Sequence, residues 1–429
     1  MKLHLPVALL TAVISAMAYG AEPAYTIDRT MGSDMQSGTY NDNDVIVNVT
    51  GGDFAKYNMG GVHTHRGIDG AIQGASETDV MPNDHNNIPT YGDIYLNVSG
   101  GENISWVIGE GVPTPVKVTG DKNINVTGGE IDYIVGGVNY ASGTNGFTGV
   151  GNATTVSSKI NDKGETVNTE AQWAHKDDSN PNINISVTGG TVGQIRGGNN
   201  NNSANVYNSL KYAQSTGTDL MTDKPWAVAG NVNISVGGDA VVGDGKKAIA
   251  GGGGSGHSVD GDVKVNISGG TINGNVYAGT SNIYTEVGGS TSVAISGGTI
   301  NGNVFGGGNY DDGAKKATDY DLDSTEGPTV KGNTEVVLSG GTINGSVYAA
   351  GDKDIVEGDT RVVINGTQAK VKGDISGGGI NGADVQGNSI LAIKNSGGLG
   401  VSWDQFKDFK LLKSKIASLL LVHRNPVIS

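Results

Sequence analysis

The chain has 429 residues, of which 72 are glycine and none is cysteine. Only 36% of the residues are hydrophobic, which is few for a compact globular domain of this length, so we expect an elongated fold with a thin core. The formal net charge of −15 argues against nucleic acid or an anionic membrane as a partner, and the lack of cysteine excludes disulfide bonds.

The N-terminal segment has the pattern of a secretory signal peptide. Lys2 supplies the positive end, and the apolar stretch Leu3–Ala18 is too short to span a membrane. Cleavage is predicted after Ala18, with Gly20 as a second candidate. We therefore assign 1–20 as a signal peptide and 21–44 as an entry segment, and we expect an exported protein.

One phrase recurs three times in the second half of the chain, at Ile267–Tyr277, Ile295–Phe305 and Leu338–Tyr348. Its first copy reads Ile-Ser-Gly-Gly-Thr-Ile-Asn-Gly-Asn-Val-Tyr. Counting weaker copies, the Gly-Gly pairs begin at Gly51, Gly100, Gly128, Gly189, Gly237, Gly269, Gly297 and Gly340. The shortest spacing between pairs is 28 residues, which we interpret as one bare coil, and longer spacings as a coil plus an inserted loop. A fixed repeat of this size predicts a solenoid.

Each repeat predicts three short strands separated by turns. The residues of 263–268 alternate between apolar and polar, as in a half-buried strand. Gly269-Gly270 then favours a sharp corner, Thr271-Ile272 a second strand, Asn273-Gly274 a turn and Val276-Tyr277 a third strand. The predicted fold is all-β, a right-handed parallel β-helix with polar loop insertions over residues 45–398.

Equivalent residues of stacked coils lie one strand spacing apart, so the repeat predicts columns of like side chains. The predicted structural ladders are an isoleucine, an asparagine and an aromatic column: Ile272, Ile300, Ile343; Asn273, Asn301, Asn344; Tyr277, Phe305, Tyr348. We interpret these columns as structural rather than functional.

Four long insertions are predicted, at about 53–93, 138–182, 199–230 and 308–332. They are polar, and solenoid insertions often gather on one binding face. Their aromatic residues are the loop-binding candidates: Tyr140, Phe147, Trp173, Tyr207 and Trp226. The alternative is that these rings cap the hydrophobic tube or pack the loops onto it.

No motif predicts catalysis, a metal or a cofactor. His63 and His65 are two residues apart, with His85 nearby, but no helical or carboxylate spacing supports a metal site. The acidic run Asp319–Asp323 lacks the pattern of a calcium loop. There is no Gly-x-Ser-x-Gly motif, and the paired aspartates at 177–178 and 311–312 lie in predicted loops. We predict that the protein is not an enzyme.

The C-terminal residues 399–429 are predicted as a helical tail. Trp403–Val422 has an apolar side at helical spacing. That side consists of Phe406, Phe409, Leu412, Ile416, Leu419 and Leu420. We interpret the tail either as the product of a truncated or frameshifted reading frame or as a cap on the last coil.

Together, the signal peptide, the absent cysteines and the glycine-rich coils resemble the passenger region of a Gram-negative autotransporter adhesin. The matching phrase is strongest over about 260–380 and weaker over 45–260. The resemblance implies display at the cell surface, with the outer membrane contacted only through a barrel that this chain does not contain, or a periplasmic product if the frame is truncated.

The function predicted from the sequence is a surface-displayed or secreted adhesin or aggregation factor. Its partner would be a host or bacterial surface glycan or protein, with self-association as a further option. The alternatives are a carbohydrate-active β-helix enzyme, either a lyase or a hydrolase, and a structural spacer.

Overall fold

The structure of the chain is a computed structural model. The residues that it describes are 24–29, 43–55, 71–74, 90–109, 117–118, 120–137, 157–160, 166–169, 181–200, 228–254, 258–281, 285–310, 327–394 and 400–414. These residues form an all-β structure with almost no helix, in which short strands stack in parallel as in a β-solenoid.

The first strand of each coil begins the repeat and pairs with the first strand of the next. These strands are Asn43–Asp53, Thr90–Glu102, Lys122–Val135, Ile183–Arg196, Val232–Val236, Val263–Ile267, Thr291–Ile295, Thr334–Leu338, Thr360–Ile364, Ser389–Ile393 and Leu411–Ser414. All of their mutual pairings are parallel. The four longest continue through the corner into the second strand, and two of them into the third.

The second and third strands are shorter and stack in the same way. Separate second strands are Val241–Val242, Thr271–Ile272, Thr299–Ile300, Thr342–Ile343 and Lys370–Val371. Third strands are Ala71–Gln73, Ile104–Ile108 (which also covers the second position), Lys247–Ala250, Asn275–Tyr277, Val304–Phe305, Val347–Tyr348, Ile375–Ser376 and Phe406–Lys407. The prediction of three strands within the repeat is therefore confirmed.

A fourth strand position was missed in the sequence. Glu286–Val287, Thr329–Val330, Ile355–Val356 and Asp384–Val385 form a parallel sheet of their own. Each has only two residues, too few for a period to be visible. The 28-residue minimum was also wrong, because Asn333 and Asp359 occupy equivalent positions only 26 residues apart. The connection between the third and fourth strands is shorter in that coil, from Tyr348 to Ile355, than in the coil from Tyr277 to Glu286.

The core is a narrow apolar column inside the coils. Ile272, Ile300 and Ile343 are fully buried and lie in successive coils, because the strands that carry them pair directly. Inside the C-terminal coils, Thr334 donates a hydrogen bond across the interior to the carbonyl oxygen of Ala349, and Thr291 and Thr360 make equivalent bonds to Gly306 and Gly377. The buried hydroxyls are thereby satisfied, as interior polar groups must be.

The ends of the stack differ. At the first coil, Ala24–Arg29 pairs antiparallel with Asn43–Asp53, so the entry segment contains a strand. The remaining strands are Lys117–Val118, which extends the sheet beside Thr90, and an antiparallel pair formed by Ser157–Ile160 and Thr166–Thr169.

The predicted C-terminal helix is wrong over residues 403–414. Only Trp403–Gln405 is helical, as a single 3-10 turn. Phe406–Lys407 pairs with Ile375–Ser376, and Leu411–Ser414 pairs with Ser389–Ile393. The apolar residues of this segment have helical spacing. Its backbone N–H and C=O groups are nevertheless satisfied by pairing with the strands of the preceding coil. Residues 415–422 of the predicted helix lie outside the described residues.

Candidate functional site

At the corner where each first strand begins, one polar side chain per coil forms a hydrogen-bonded column along the stack. This column borders the outer face of the first strands. We call this column the corner ladder: Asp44, Asp93, Asp121, Asn182, Asn231, Asp262, Ser290, Asn333, Asp359 and Asn388. Each side-chain oxygen accepts the backbone N–H of the next member at 2.7–3.1 Å. The corner ladder therefore ties successive coils together at one edge of this face.

Glycine precedes most members of the corner ladder because the backbones of successive coils approach closely there. A Cβ atom at Gly120 would lie 2.3 Å from Oδ1 of Asp93, and one at Gly289 would lie 2.4 Å from Oδ1 of Asp262. The backbone N of Asp93 is also only 2.4 Å from a Cβ at Gly120, so glycine is favoured at this corner, although Pro181 precedes Asn182. The recurring Gly-Asx pair was the signal that the sequence reasoning missed.

Next to the corner ladder, polar side chains project from the first strands in two columns. Asn184 donates from Nδ2 to Oδ1 of Asn123 at 3.0 Å, and Asn233 donates likewise to Asn184 at 3.0 Å. Two residues further along each strand lie Asn125, Ser186 and Ser235, on the same face. We call the six residues 123, 125, 184, 186, 233 and 235 the amide face.

The amide face is open to solvent and carries no charged side chain. Asn125 and Ser235 are exposed, and the other four residues are partly exposed. Asn184 uses one amide N–H and one carbonyl lone pair within its column, so one donor and one acceptor position remain. The face therefore offers both donors and acceptors to a partner.

Towards the first coil, the polar column continues and gains an aromatic ring. Asn125 donates to Asn97 at 3.0 Å, and Asn97 donates to Asn48 at 2.9 Å. The hydroxyl of Tyr95 donates to Oδ2 of Asp93 at 3.0 Å, and this hydrogen bond raises the pKa of Tyr95. The phenol therefore stays protonated and holds its ring at the margin of the amide face.

Towards the last coils, the outward positions of the first strands carry charged or buried apolar residues. Lys264 and Asp262 are 3.4 Å apart, and Arg361 and Glu335 are 3.2 Å apart, so charge appears in pairs. Val363 then occupies the position equivalent to Ser235 and is fully buried. In the coils that begin at 122, 183 and 232, both outward positions are uncharged polar residues, whereas ion pairs occur in later coils.

The predicted ladders of the central repeat adopt the expected geometry. Asn301 donates to Asn273 at 2.8 Å, and Asn344 donates to Asn301 at 2.6 Å. Tyr277 and Phe305 stack with ring centroids 4.5 Å apart, and Phe305 and Tyr348 with centroids 5.0 Å apart. Tyr277 and Phe305 are 4% and 1% exposed, so the aromatic column contributes packing rather than a binding surface.

A second stacked pair was not anticipated. Trp106 and Tyr133, on the third strands of neighbouring coils, stack with centroids 4.4 Å apart and are both partly exposed. Because the rings are stacked, each shields one face of the other from solvent.

Most loop predictions lie outside the described residues. This applies to all loop-binding and cleavage candidates: Tyr140, Phe147, Trp173, Tyr207, Trp226, Ala18 and Gly20. It also applies to His63, His65 and His85, to both aspartate pairs and to the acidic run at 319–323. These interpretations remain predictions.

One buried carboxylate stands apart from the exposed faces. Asp354 is 1% exposed, and its oxygens accept the N–H groups of Gly351 at 2.9 Å and Gly308 at 3.0 Å. Burial raises the pKa of Asp354 to about 7, and the charge of Asp352 adds to this effect, against the lowering effect of the backbone donors. The carboxylate links two successive coils at the corner after the third strand.

Within the described ranges, no three histidine, cysteine or acidic side chains gather as a metal site would require. No helix in this part of the chain is both long and apolar enough to cross a membrane. Comparisons with protein-family models, curated proteins and solved structures found no match to the chain. The class of protein therefore rests on the fold itself, an all-β stack of parallel strands of the β-solenoid type.

Proposed function

We propose that the chain is an exported β-solenoid, right-handed and with polar loop insertions, that acts as an adhesin or aggregation factor. It would bind a glycan or protein of a host or bacterial surface without catalysis. The observation that carries this proposal is the amide face, which is open, uncharged and able to donate and accept further hydrogen bonds. The signal peptide pattern of residues 1–20 supports an exported protein at the cell surface or outside the cell.

The two alternatives have less support. A carbohydrate-active enzyme needs a pair of carboxylates directed into a groove. Asp93 and Asp121 lie in neighbouring coils, but each accepts the backbone N–H of the next corner residue. A pure spacer would need only the buried columns and not an open face with unused hydrogen-bonding groups.

The proposal can be tested with beads that carry the purified full-length chain. The beads are mixed with cultured epithelial cells, with bacterial cells that do not express the protein, and with each other. We expect retention on at least one cell type, or bead aggregation, well above that of albumin-coated beads. Equal behaviour of the two kinds of bead in all three assays would contradict the proposed function.

A further inference from the structure

We propose that the amide face binds the same face of a second copy of this chain. The inference rests on the proposed function and deepens it, because it selects the partner of the exposed face. Four properties of the described residues support it: hydrogen-bonding complementarity, charge, axial repeat and side-chain size.

The hydrogen-bonding groups of the amide face are complementary to themselves. Amides and hydroxyls both donate and accept, so two copies of the face can satisfy each other without a different chemistry on the partner. Asn184 retains one donor and one acceptor position after its contacts within the column. A two-fold interface requires this kind of self-complementary patch.

The charge distribution favours contact at the amide face. The chain carries a formal net charge of −15, so two copies repel each other on average. The six residues of the amide face carry no charge, whereas Asp121 lies at its edge in the first of the three coils and the pair Lys264–Asp262 lies in the following coil. Contact through these six side chains therefore places no like charges directly opposite each other.

The axial repeat of the face selects a partner with the same repeat. Parallel strands lie about 4.8 Å apart, so the columns of the amide face repeat at that distance along the stack. A second copy has an identical repeat and can match every coil at once. A polymer with another repeat loses register after a few contacts.

The side chains of the face are all small and polar. Ser186 and Ser235 follow Asn125 in one column, and the other column is entirely asparagine. The three coils present roughly 200 Å² per copy, at about 4.8 Å per coil and about 13 Å across the two columns. This is below the roughly 800 Å² per partner of a stable interface, so a single contact is weak. Many copies on one surface would still associate strongly through avidity.

The decisive test introduces charge without disturbing the fold. Ser186→Glu with Ser235→Glu changes two outward hydroxyls that lie beside the asparagine column and leaves the asparagines in place. The matched control is Thr271→Glu with Thr299→Glu, two partly exposed positions one coil apart on the second strands. Circular dichroism and thermal melting check that all three proteins are folded.

Beads that carry many copies are compared for aggregation. We expect wild-type beads and control beads to aggregate, and Glu-variant beads to aggregate at least about tenfold less, because like charges placed opposite each other cost 1.4 kcal/mol or more. A third protein, Ser186→Lys with Ser235→Lys, should not aggregate alone. Mixed Glu-variant and Lys-variant beads should aggregate again, which a purely structural role of these residues does not produce.

The outcomes separate this inference from the proposed function. If wild-type beads bind cells but not each other, the face has a foreign partner and the inference is overturned, while the adhesin proposal stands. If the Glu variant aggregates as well as the wild type, the copies associate through another surface and the inference is again wrong. If wild-type beads bind neither cells nor each other, both proposals are contradicted.

Discussion

The amide face and the aromatic column are built on the same principle but differ in what remains available. In both, like side chains stack in three successive coils, Asn123, Asn184 and Asn233 on the first strands and Tyr277, Phe305 and Tyr348 on the third. The aromatic rings are mainly buried, whereas the amides face solvent with unused donors and acceptors. A repeated column in a sequence therefore indicates the fold, and only its exposure indicates a role in binding.

The largest expected effect comes from removing a member of the buried column. Phe305→Ala deletes a ring that is 1% exposed and stacked on both sides, so we expect a loss of about 3–5 kcal/mol in unfolding free energy. Trp106→Ala removes a stacked but partly exposed ring and should cost less than half as much. Denaturant unfolding measures both. Equal losses would show that burial does not distinguish the two stacks.

The buried carboxylate behind the third strands predicts a pH dependence. Because the pKa of Asp354 is raised from 3.8 to about 7, the folded state binds a proton that the unfolded state releases. The contribution of Asp354 to stability should be fully present below about pH 4, fall as pH rises to 7, and then remain level. The full effect is on the order of 4 kcal/mol.

Asp354→Asn cannot ionise, so the measurement is the difference between the two pH profiles of unfolding free energy. Asp352 and Lys353 adjoin the carboxylate in sequence, Asp384 lies in the next coil, and Lys353 is drawn outwards over the ring of Tyr310 at 4.3 Å. These groups are retained in both proteins, so their own titration largely cancels. A constant difference between pH 4 and 8 would show that the backbone donors, not burial, control this carboxylate.

A smaller effect is expected on the exposed side, from the corner ladder. Asn231→Ala leaves the N–H of Asp262 without its acceptor at 2.8 Å, which should cost about 1–2 kcal/mol. Asn233→Ala, two residues along the same strand, removes only a bond between partly exposed amides and should cost about 0.5 kcal/mol or less. Thermal melting of the pair checks whether the backbone bond is the stronger one.

The sequence was sufficient for the central repeat because its local signals agree. Alternation over 263–268, the Gly-Gly corner and the Asn-Gly turn all indicate the same three strands, and the structure has them at Val263–Ile267, Thr271–Ile272 and Asn275–Tyr277. The fourth strand could not be predicted, because two residues such as Glu286–Val287 carry no period.

The C-terminal error has a physical cause. Phe406, Phe409 and Leu412 are three residues apart, which suits one side of a helix. Short strands separated by tight turns produce a similar spacing. The strand Ser389–Ile393 of the preceding coil offers backbone hydrogen-bonding groups, and pairing with them favours a strand over a helix at Leu411–Ser414. The amide face was missed for another reason, since whether a polar column is open depends on the chain packed around it.

The corner ladder has a consequence for how such a chain can change its length. The bonds from side-chain oxygen to backbone N–H in this ladder join neighbouring coils, and consecutive members are separated by as few as 26 and as many as 61 residues. A gene segment encoding one turn could be duplicated or lost in frame, and the new junction would still match a side-chain oxygen with an N–H. The solenoid can thus lengthen or shorten during evolution by whole coils, with the hydrogen bonds of the corner ladder re-formed at each new junction.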